Sequence, residues 1–196
     1  MNRVEHSHIW EKEKNEHYVE TRWVWPRFFE VETMTGTVCD PCAGFGRSVT
    51  AARAVGLDAF GCDVVDRGFD YLAIADFGTS DIRADNFVMN PPFSLGREFV
   101  ERALRLASRK VAAILPMRRL AAAGKWVEAL PHYRTYYITP RPSMPPGHVA
   151  LEYERAGKEP SGGKQDFCIL VFLKGFNGDP TEHWLRRPPR PRRLSP

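Results

Sequence analysis

The sequence predicts an α/β domain built on a doubly wound, mostly parallel sheet. Three observations carry that prediction. A short apolar run closes in a glycine-rich turn, Asp40-Pro41-Cys42-Ala43-Gly44-Phe45-Gly46. A second run, Asp85-Asn86-Phe87-Val88-Met89, closes in Asn90-Pro91-Pro92-Phe93. Amphipathic helical segments alternate with such runs along the first two-thirds of the chain. Apolar runs without in-out alternation are how strands buried on both faces read, and their alternation with helices implies right-handed crossovers and parallel pairing.

In chain order, residues 1–16 are polar and charged, with His6 and His8 scattered among Glu and Lys, and read as a flexible leader. A dense aromatic stretch follows His17. From Trp23 its apolar positions recur at helical spacing, as expected of a helix laid on a sheet. Thr37-Val38-Cys39 reads as the first strand. The helix opening near Arg47 runs to a stop at Gly56. Gly44 and Gly46 let the backbone come close to a ligand, and the helix start beyond them presents free N–H groups. Leu57-Asp58-Ala59-Phe60-Gly61-Cys62-Asp63 is the second strand. It ends on an acid about twenty residues after the turn, where a carboxylate on the neighbouring strand can accept from both hydroxyls of a ribose. Asp63 is better placed for this than Asp66, which lies further into the loop.

The run Tyr71-Leu72-Ala73-Ile74-Ala75 leads into the pair Asp76-Phe77. Pro91 and Pro92 cannot continue a ladder or a helix, so this turn is rigid at the carboxyl end of its strand, where open α/β sheets place their ligands. The Asn90 side-chain oxygen and nearby carbonyls are fixed acceptors there, suited to the two hydrogens of an exocyclic amino group, and Phe93 offers a flat face for a base. An amphipathic helix from Leu95 to about Ser108 and a strand, Lys110-Val111-Ala112-Ala113-Ile114-Leu115-Pro116, come next. Beyond residue 133 the alternation stops. Tyr136-Tyr137-Ile138-Thr139 and the apolar stretch from Gln165 to Lys174 read as an antiparallel pair. The proline-laden loop between them, from Pro140 to His148, is expected to project over the catalytic edge. Arg141, Met144, His148 and Lys164 are its candidates for touching nucleic acid or shaping a base pocket.

A chain of 196 residues is the size of one ordinary domain. Hydrophobic content of 43% and aromatic content of 12% fit a soluble protein, no run is long enough to span a membrane, and the start lacks a secretory pattern. Cys39, Cys42, Cys62 and Cys168 are therefore expected as reduced thiols in a cytoplasm. Cys39 and Cys42 have zinc-like spacing, but without a second Cys or His pair no metal is expected. The net charge of +4 permits an anionic partner. Arg186, Arg187, Arg190, Arg192 and Arg193 crowd residues 186–196 among prolines. That composition reads as a disordered tail, either solvated or laid along phosphates, outside a domain of residues 17–185.

The order Asp-Pro-x-x-Gly-x-Gly, then Asn-Pro-Pro-Phe about fifty residues on, resembles the class I S-adenosylmethionine-dependent amino-methyltransferases, above all the DNA adenine-N6 methylases of phages and prophages. The resemblance implies the seven-stranded Rossmann-like methyltransferase sheet and S-adenosylmethionine as cofactor. It implies that Asn90, Pro91, Pro92 and Phe93 form the catalytic turn, Asn90 and the Pro91 carbonyl holding the amine while Phe93 stacks on the base. Asp40, Pro41, Cys42, Ala43, Gly44, Phe45, Gly46, Asp63, Asp76 and Phe77 would line the cofactor site, Asp40 near its amino group. Tyr18-Val19-Glu20-Thr21 matches a stretch that lies over the cofactor, which adds Thr21 and Trp23. Arg22 stands where the family commonly has Pro. DNA is the expected partner ahead of RNA. Adenine N6 or guanine N2 of RNA, or a protein glutamine, is the alternative acceptor, and a catalytically silent nucleic-acid-binding protein is the reading from another class.

Overall fold

The structure, a computed structural model, describes residues 16–118 and 125–189. After a helix α1 (Val24–Val31) the chain alternates strand and helix: β1 (Val38–Asp40), α2 (Arg47–Ala54), β2 (Ala59–Asp63), β3 (Ala73–Ile74), β4 (Ala84–Met89), α3 (Gly96–Leu106) and β5 (Ala107–Pro116). A short α4 (Lys125–Glu128), β6 (His132–Thr139), α5 (Gly147–Arg155), β7 (Phe167–Leu173) and β8 (Thr181–Arg186) complete it. The strands form a single sheet in the order β3-β2-β1-β4-β5-β7-β6-β8. Only β7 runs against its neighbours: it pairs antiparallel with both β5 and β6, while the remaining pairs are parallel.

This is the doubly wound, mostly parallel sheet with the reversed C-terminal pair that the sequence predicts, with eight strands in place of seven. The additional strand, β8, escapes a pattern search because only one of its six residues, Leu185, is buried. Arg186 closes that strand, and Arg187 donates to the Thr139 carbonyl (2.9 Å) and pairs with Glu159, so these two arginines, expected in a disordered tail, are held at the sheet. Arg190, Arg192, Arg193 and the leader residues 1–15 lie outside the described residues.

The sheet is covered on both faces because its central strands offer apolar side chains to each. Val38, Val88, Ala112 and Ile114 pack in one layer with Trp25, Phe28 and Phe29 of α1 and Val49 and Ala52 of α2. Their alternates Cys39, Phe87, Met89, Ala113 and Leu115 pack with Val100, Ala103 and Leu106 of α3 in the other. Helix α1 buries Val24, Trp25, Phe28 and Phe29 along one stripe, and Pro26 sits in its first turn, where a missing N–H leaves no bond unmade. Among the described residues no helix is long and apolar enough to cross a membrane.

A buried ion cluster ties α1 to the far half of the sheet. Glu32, 1% exposed, accepts from Lys110 Nζ on β5 (2.5 Å), Arg134 Nη1 (3.0 Å) and the Tyr136 hydroxyl (2.8 Å) on β6. Burial, then the Glu32 carboxylate, pushes the Tyr136 hydroxyl up to about 12. Removing one member of a buried pair leaves an uncompensated charge, so Glu32→Ala is expected to lose about 3 kcal/mol and Glu32→Gln roughly half of that. Urea denaturation of both variants measures it, and an Ala variant as stable as the wild type contradicts it.

Candidate active site

The carboxyl ends of β1, β2 and β4 converge where the strand order turns from β1 outward in two directions, the place where open α/β sheets form a crevice. The N-terminal segment from Glu16 to Glu20 roofs this edge and closes it into a cavity of about 330 Å³. Asp40, Pro41, Cys42, Ala43, Gly44 and Phe45 from the β1 turn line it, as do Asp63 from β2, Asp76 and Phe77 from the loop after β3, and Asn90 and Pro92 from the turn after β4. The two motifs recognised in the sequence thus face one space from adjacent strand ends.

The β1 turn is shaped by two glycines. Gly44 has φ 53°, and a Cβ there would stand 2.8 Å from His17 Nε2; Gly46 has φ 72°, and a Cβ would run into the Phe69 ring. Both positions therefore require glycine, the first to clear the roof and the second to start α2 in the left-handed region. Gly46 itself does not line the cavity. The turn is tied to β2 by Gly44 N–H donating to Asp63 Oδ2 (2.9 Å), and Tyr71 donates its hydroxyl to the Gly44 carbonyl. Asp63 Oδ1 accepts from Val65 N (3.0 Å). The carboxylate expected to accept from a ribose therefore already holds two backbone N–H groups, and only its remaining lone pairs are available.

Asp40 is buried at 3% exposure and accepts from Cys42 N (3.0 Å) and from the Ser48 hydroxyl. Burial, opposed by those bonds and reinforced by the nearby Glu20 and Asp63 carboxylates, raises its carboxyl to about 7. His17, beside Phe45 at 4.8 Å, goes the other way. Burial first, then the Arg67 and Arg47 guanidiniums, lowers it to about 4, so its imidazole is neutral at pH 7. The acids Glu16, Glu20, Asp40, Asp63 and Asp76 outnumber Arg47 and Arg67 in the lining. The Arg47 guanidinium is moreover turned to the Glu20 backbone carbonyl and to Glu154 of α5. The cavity is an acidic one.

Asn90 stands one residue beyond β4. Its Nδ2 donates to the Tyr18 carbonyl (2.8 Å) and to Glu20 Oε2 (2.9 Å), and its Oδ1 is buried with no hydrogen-bond partner among the described residues. A buried oxygen left unpaired is costly and marks a place where a donor is missing.

Several expected site residues stand elsewhere. Thr21 is buried but lies outside the cavity, in a narrow cleft shared with Ser143 and Glu154. Pro91 is buried behind Pro92 and does not reach the lining. Phe93 opens a single 3₁₀ turn, Phe93–Leu95; its ring lies parallel to Tyr18 at 5.8 Å and 5.3 Å from Phe167, outside the lining. Phe77 is 4% exposed and packs on Phe87 (5.7 Å) and Phe99 (5.2 Å), so only part of its ring is presented to the cavity. Asp76 accepts from Gly78 N (2.8 Å) in its own loop.

The loop expected to project over the edge is instead mostly buried. Pro142 to Gly147 pack down because Val19 N–H donates to the Pro145 carbonyl (2.9 Å) and Tyr18 bridges Pro146, and Met144, 7% exposed, belongs to the core. His148 is an exposed residue in the first turn of α5, a helix the prolines before it conceal in the sequence. Arg141 is exposed and held by Asp166 through two bonds (2.8 and 3.2 Å), and Lys164 is exposed. None of these four lines the cavity. The residues that sequence reasoning missed are Glu16, His17, Glu20, Arg47 and Arg67. The first four had one signal, proximity to the Tyr18-Val19-Glu20-Thr21 stretch or to Gly46, and Arg67 had none.

No family model matches the chain and no curated protein does. Among solved structures, a candidate RNA methyltransferase from Pyrococcus horikoshii superposes with a TM-score of 0.54 at 19% identity, covering 78% of this chain and 80% of that one. A ribosomal protein L11 methylase from Lactobacillus delbrueckii subsp. bulgaricus superposes at 0.52 and 12%, covering 78% and 77%. Protein 1320 of Thermoplasma acidophilum superposes at 0.52 and 15%, covering 79% and 84%. The chain has the Rossmann-like methyltransferase fold. In this fold the cavity over β1, β2 and β4 occupies the crevice where open α/β sheets take their ligands, and the reversed β7 lies two strands from β4.

Proposed function

We propose that this protein is an S-adenosylmethionine-dependent methyltransferase acting on an exocyclic amino nitrogen of a nucleobase, with adenine N6 of DNA as its substrate. The observation that carries the reading is the unpaired Asn90 oxygen, buried at the wall of an acidic cavity whose other wall is a glycine turn. The lining fits the cofactor. Gly44 puts no Cβ where the turn meets the cavity, and the acids Asp40 and Asp63 match a ligand with positive charge. S-adenosylmethionine, when bound, supplies an electrophilic methyl group on a sulfonium centre.

The chain's own residues do the rest. Asp40, ionised above about pH 7, and Asp63 set negative charge around the turn. His17, neutral at that pH, adds no opposing charge. Asn90 Oδ1 accepts one hydrogen of the substrate amine, which draws the nitrogen lone pair out of conjugation with the ring and aims it. No strong base is required before transfer, because the proton leaves afterwards. The segment from Glu16 to Glu20 supplies one wall of the cavity.

DNA as the partner rests on the family resemblance and on charge. β8 is parallel to β6, and the antiparallel β7 between β5 and β6 makes β6 parallel to β5 in turn, so the chain leaves β8 at the edge that carries Asn90. The arginines of residues 190–193 follow it. The experiment is transfer of labelled methyl from S-adenosylmethionine to DNA, RNA and protein pools side by side, with Asn90→Ala as control. Label in adenine of DNA is the expected result, and label confined to RNA or protein reassigns the substrate. A protein that binds nucleic acid but gives no heat with S-adenosylmethionine in calorimetry is not an enzyme of this kind.

A further inference from the structure

The amide of Asn90 is symmetric in shape but not in its surroundings. Both hydrogens of Nδ2 are used, one on the Tyr18 carbonyl and one on Glu20 Oε2, and Oδ1 is the end left unpaired. Turning the amide over would set its oxygen against a carbonyl and a carboxylate, losing two bonds and gaining repulsion from both. The Tyr18 contact is made by backbone and is indifferent to side-chain identity. Glu20 is the side chain that decides the matter: it is 7% exposed, it lines the same cavity, and it reaches Asn90 from a segment seventy residues earlier in the chain.

We infer that Glu20 is a positioning residue for methyl transfer to an amine, whose carboxylate fixes the Asn90 amide so that its unpaired oxygen, and not its NH2, is the end left for the substrate amine. The inference rests on the amino-methyltransferase reading above and deepens it by naming what selects the acceptor chemistry. An amide held this way receives a group that donates hydrogens, an amine, and rejects a carbonyl at the same place. Its oxygen is also the stronger acceptor because its N–H is bonded to an anion.

The test begins with a measurement that needs no substrate. In 15N-labelled protein the side-chain NH2 resonances of Asn90, identified by their absence in Asn90→Asp, are expected to exchange slowly with solvent. Glu20→Ala should speed that exchange at least about tenfold, and Glu20→Gln, whose side-chain oxygen still accepts, should restore most of the protection. In methyl transfer to unmethylated duplex DNA, Glu20→Ala should lower kcat about 10- to 100-fold with KM and cofactor affinity within about twofold, and Glu20→Gln should recover most of the rate.

A Glu20→Ala protein with unchanged exchange and full rate overturns the inference. So does a Glu20→Gln protein as impaired as Glu20→Ala, because that outcome assigns the effect to charge. Should Glu20→Ala not fold, the second pair decides: Asn90→Asp brings two carboxylates together, and adding Glu20→Gln restores a donor between them. Recovery of the melting temperature in the double variant is expected, and no recovery overturns the inference. Activity that survives Asn90→Ala overturns the functional reading, while the exchange experiment still decides what Glu20 does.

Discussion

Asn90→Ala is expected to reduce methyl transfer by about 10³-fold or more while leaving affinity for S-adenosylmethionine within about twofold of the wild type. The split follows from geometry. Removing one preorganised hydrogen-bonding group that acts on the reacting atoms costs roughly 10²–10³ in rate, and here the same group also aims the nitrogen, which adds a loss of orientation. The cofactor side of the cavity is built from the β1 turn, Asp63 and the Asp76-Phe77 pair, none of which hydrogen-bonds to Asn90. The variant also leaves Glu20 and the Tyr18 carbonyl without the donor they share, at a cost of about 1–3 kcal/mol in stability. The melting temperature is therefore measured beside the rate. Calorimetry with S-adenosylmethionine and single-turnover transfer to DNA separate binding from chemistry. A variant that binds the cofactor normally and transfers at the wild-type rate removes Asn90 from the reaction.

The strands of the first half and the two turns that end them were legible in the sequence because each signal is local. Phe87, Val88 and Met89 are apolar in succession because their strand is buried on both faces, and prolines mark the stop at Asn90. Asp40, Asp63 and Asn90 could be placed together because a parallel sheet puts every such strand end on one edge. What the sequence concealed was tertiary. Glu20 and His17 belong to the site only because the N-terminal segment is folded back over the sheet, held by Val19 to Pro145 and by Gly147 N–H to the His17 carbonyl (3.0 Å). The same pairing draws Met144 into the core, although a run of prolines read alone suggests an exposed loop. Phe93 was read as a free aromatic face, yet neighbours distant in sequence, Tyr18 and Phe167, stand against its ring. β8 was invisible because the alternation of an edge strand with one covered residue does not differ from that of a polar loop.

Asp40→Asn is expected to make the protein more stable and worse at binding its cofactor, both effects growing with pH. The folded-state carboxyl titrates at about 7 against an ordinary value of 3.8, chiefly through burial. A group whose pKa is raised on folding contributes its stability fully below the unfolded value and loses it as pH rises through the folded one. Between about pH 4 and pH 7 the wild type therefore loses stability through this residue, by as much as roughly 1.4 kcal/mol for each pH step of one.

An amide keeps the local bonds, its oxygen accepting from Cys42 N and its NH2 donating to the Ser48 hydroxyl, and it never has to ionise. At pH 8 the variant should gain about 2–4 kcal/mol, or roughly 4–16 °C in melting temperature for a chain of this size. At pH 5 the difference should be smaller, and only below about pH 4, where Asp40 is protonated in the folded and the unfolded protein alike, should the two melt together. Cofactor affinity runs the other way: the wild type should bind S-adenosylmethionine more tightly as pH rises through about 7, and the variant should bind about 10- to 100-fold more weakly at pH 8, the size of a lost charge-assisted hydrogen bond. The gap should close towards pH 5. Melting curves and calorimetric titrations at pH 5, 6.5 and 8 give both trends. A variant that loses affinity equally at every pH, or gains no stability at pH 8, shows that the carboxylate of Asp40 is not kept at the expense of stability in order to meet a cation.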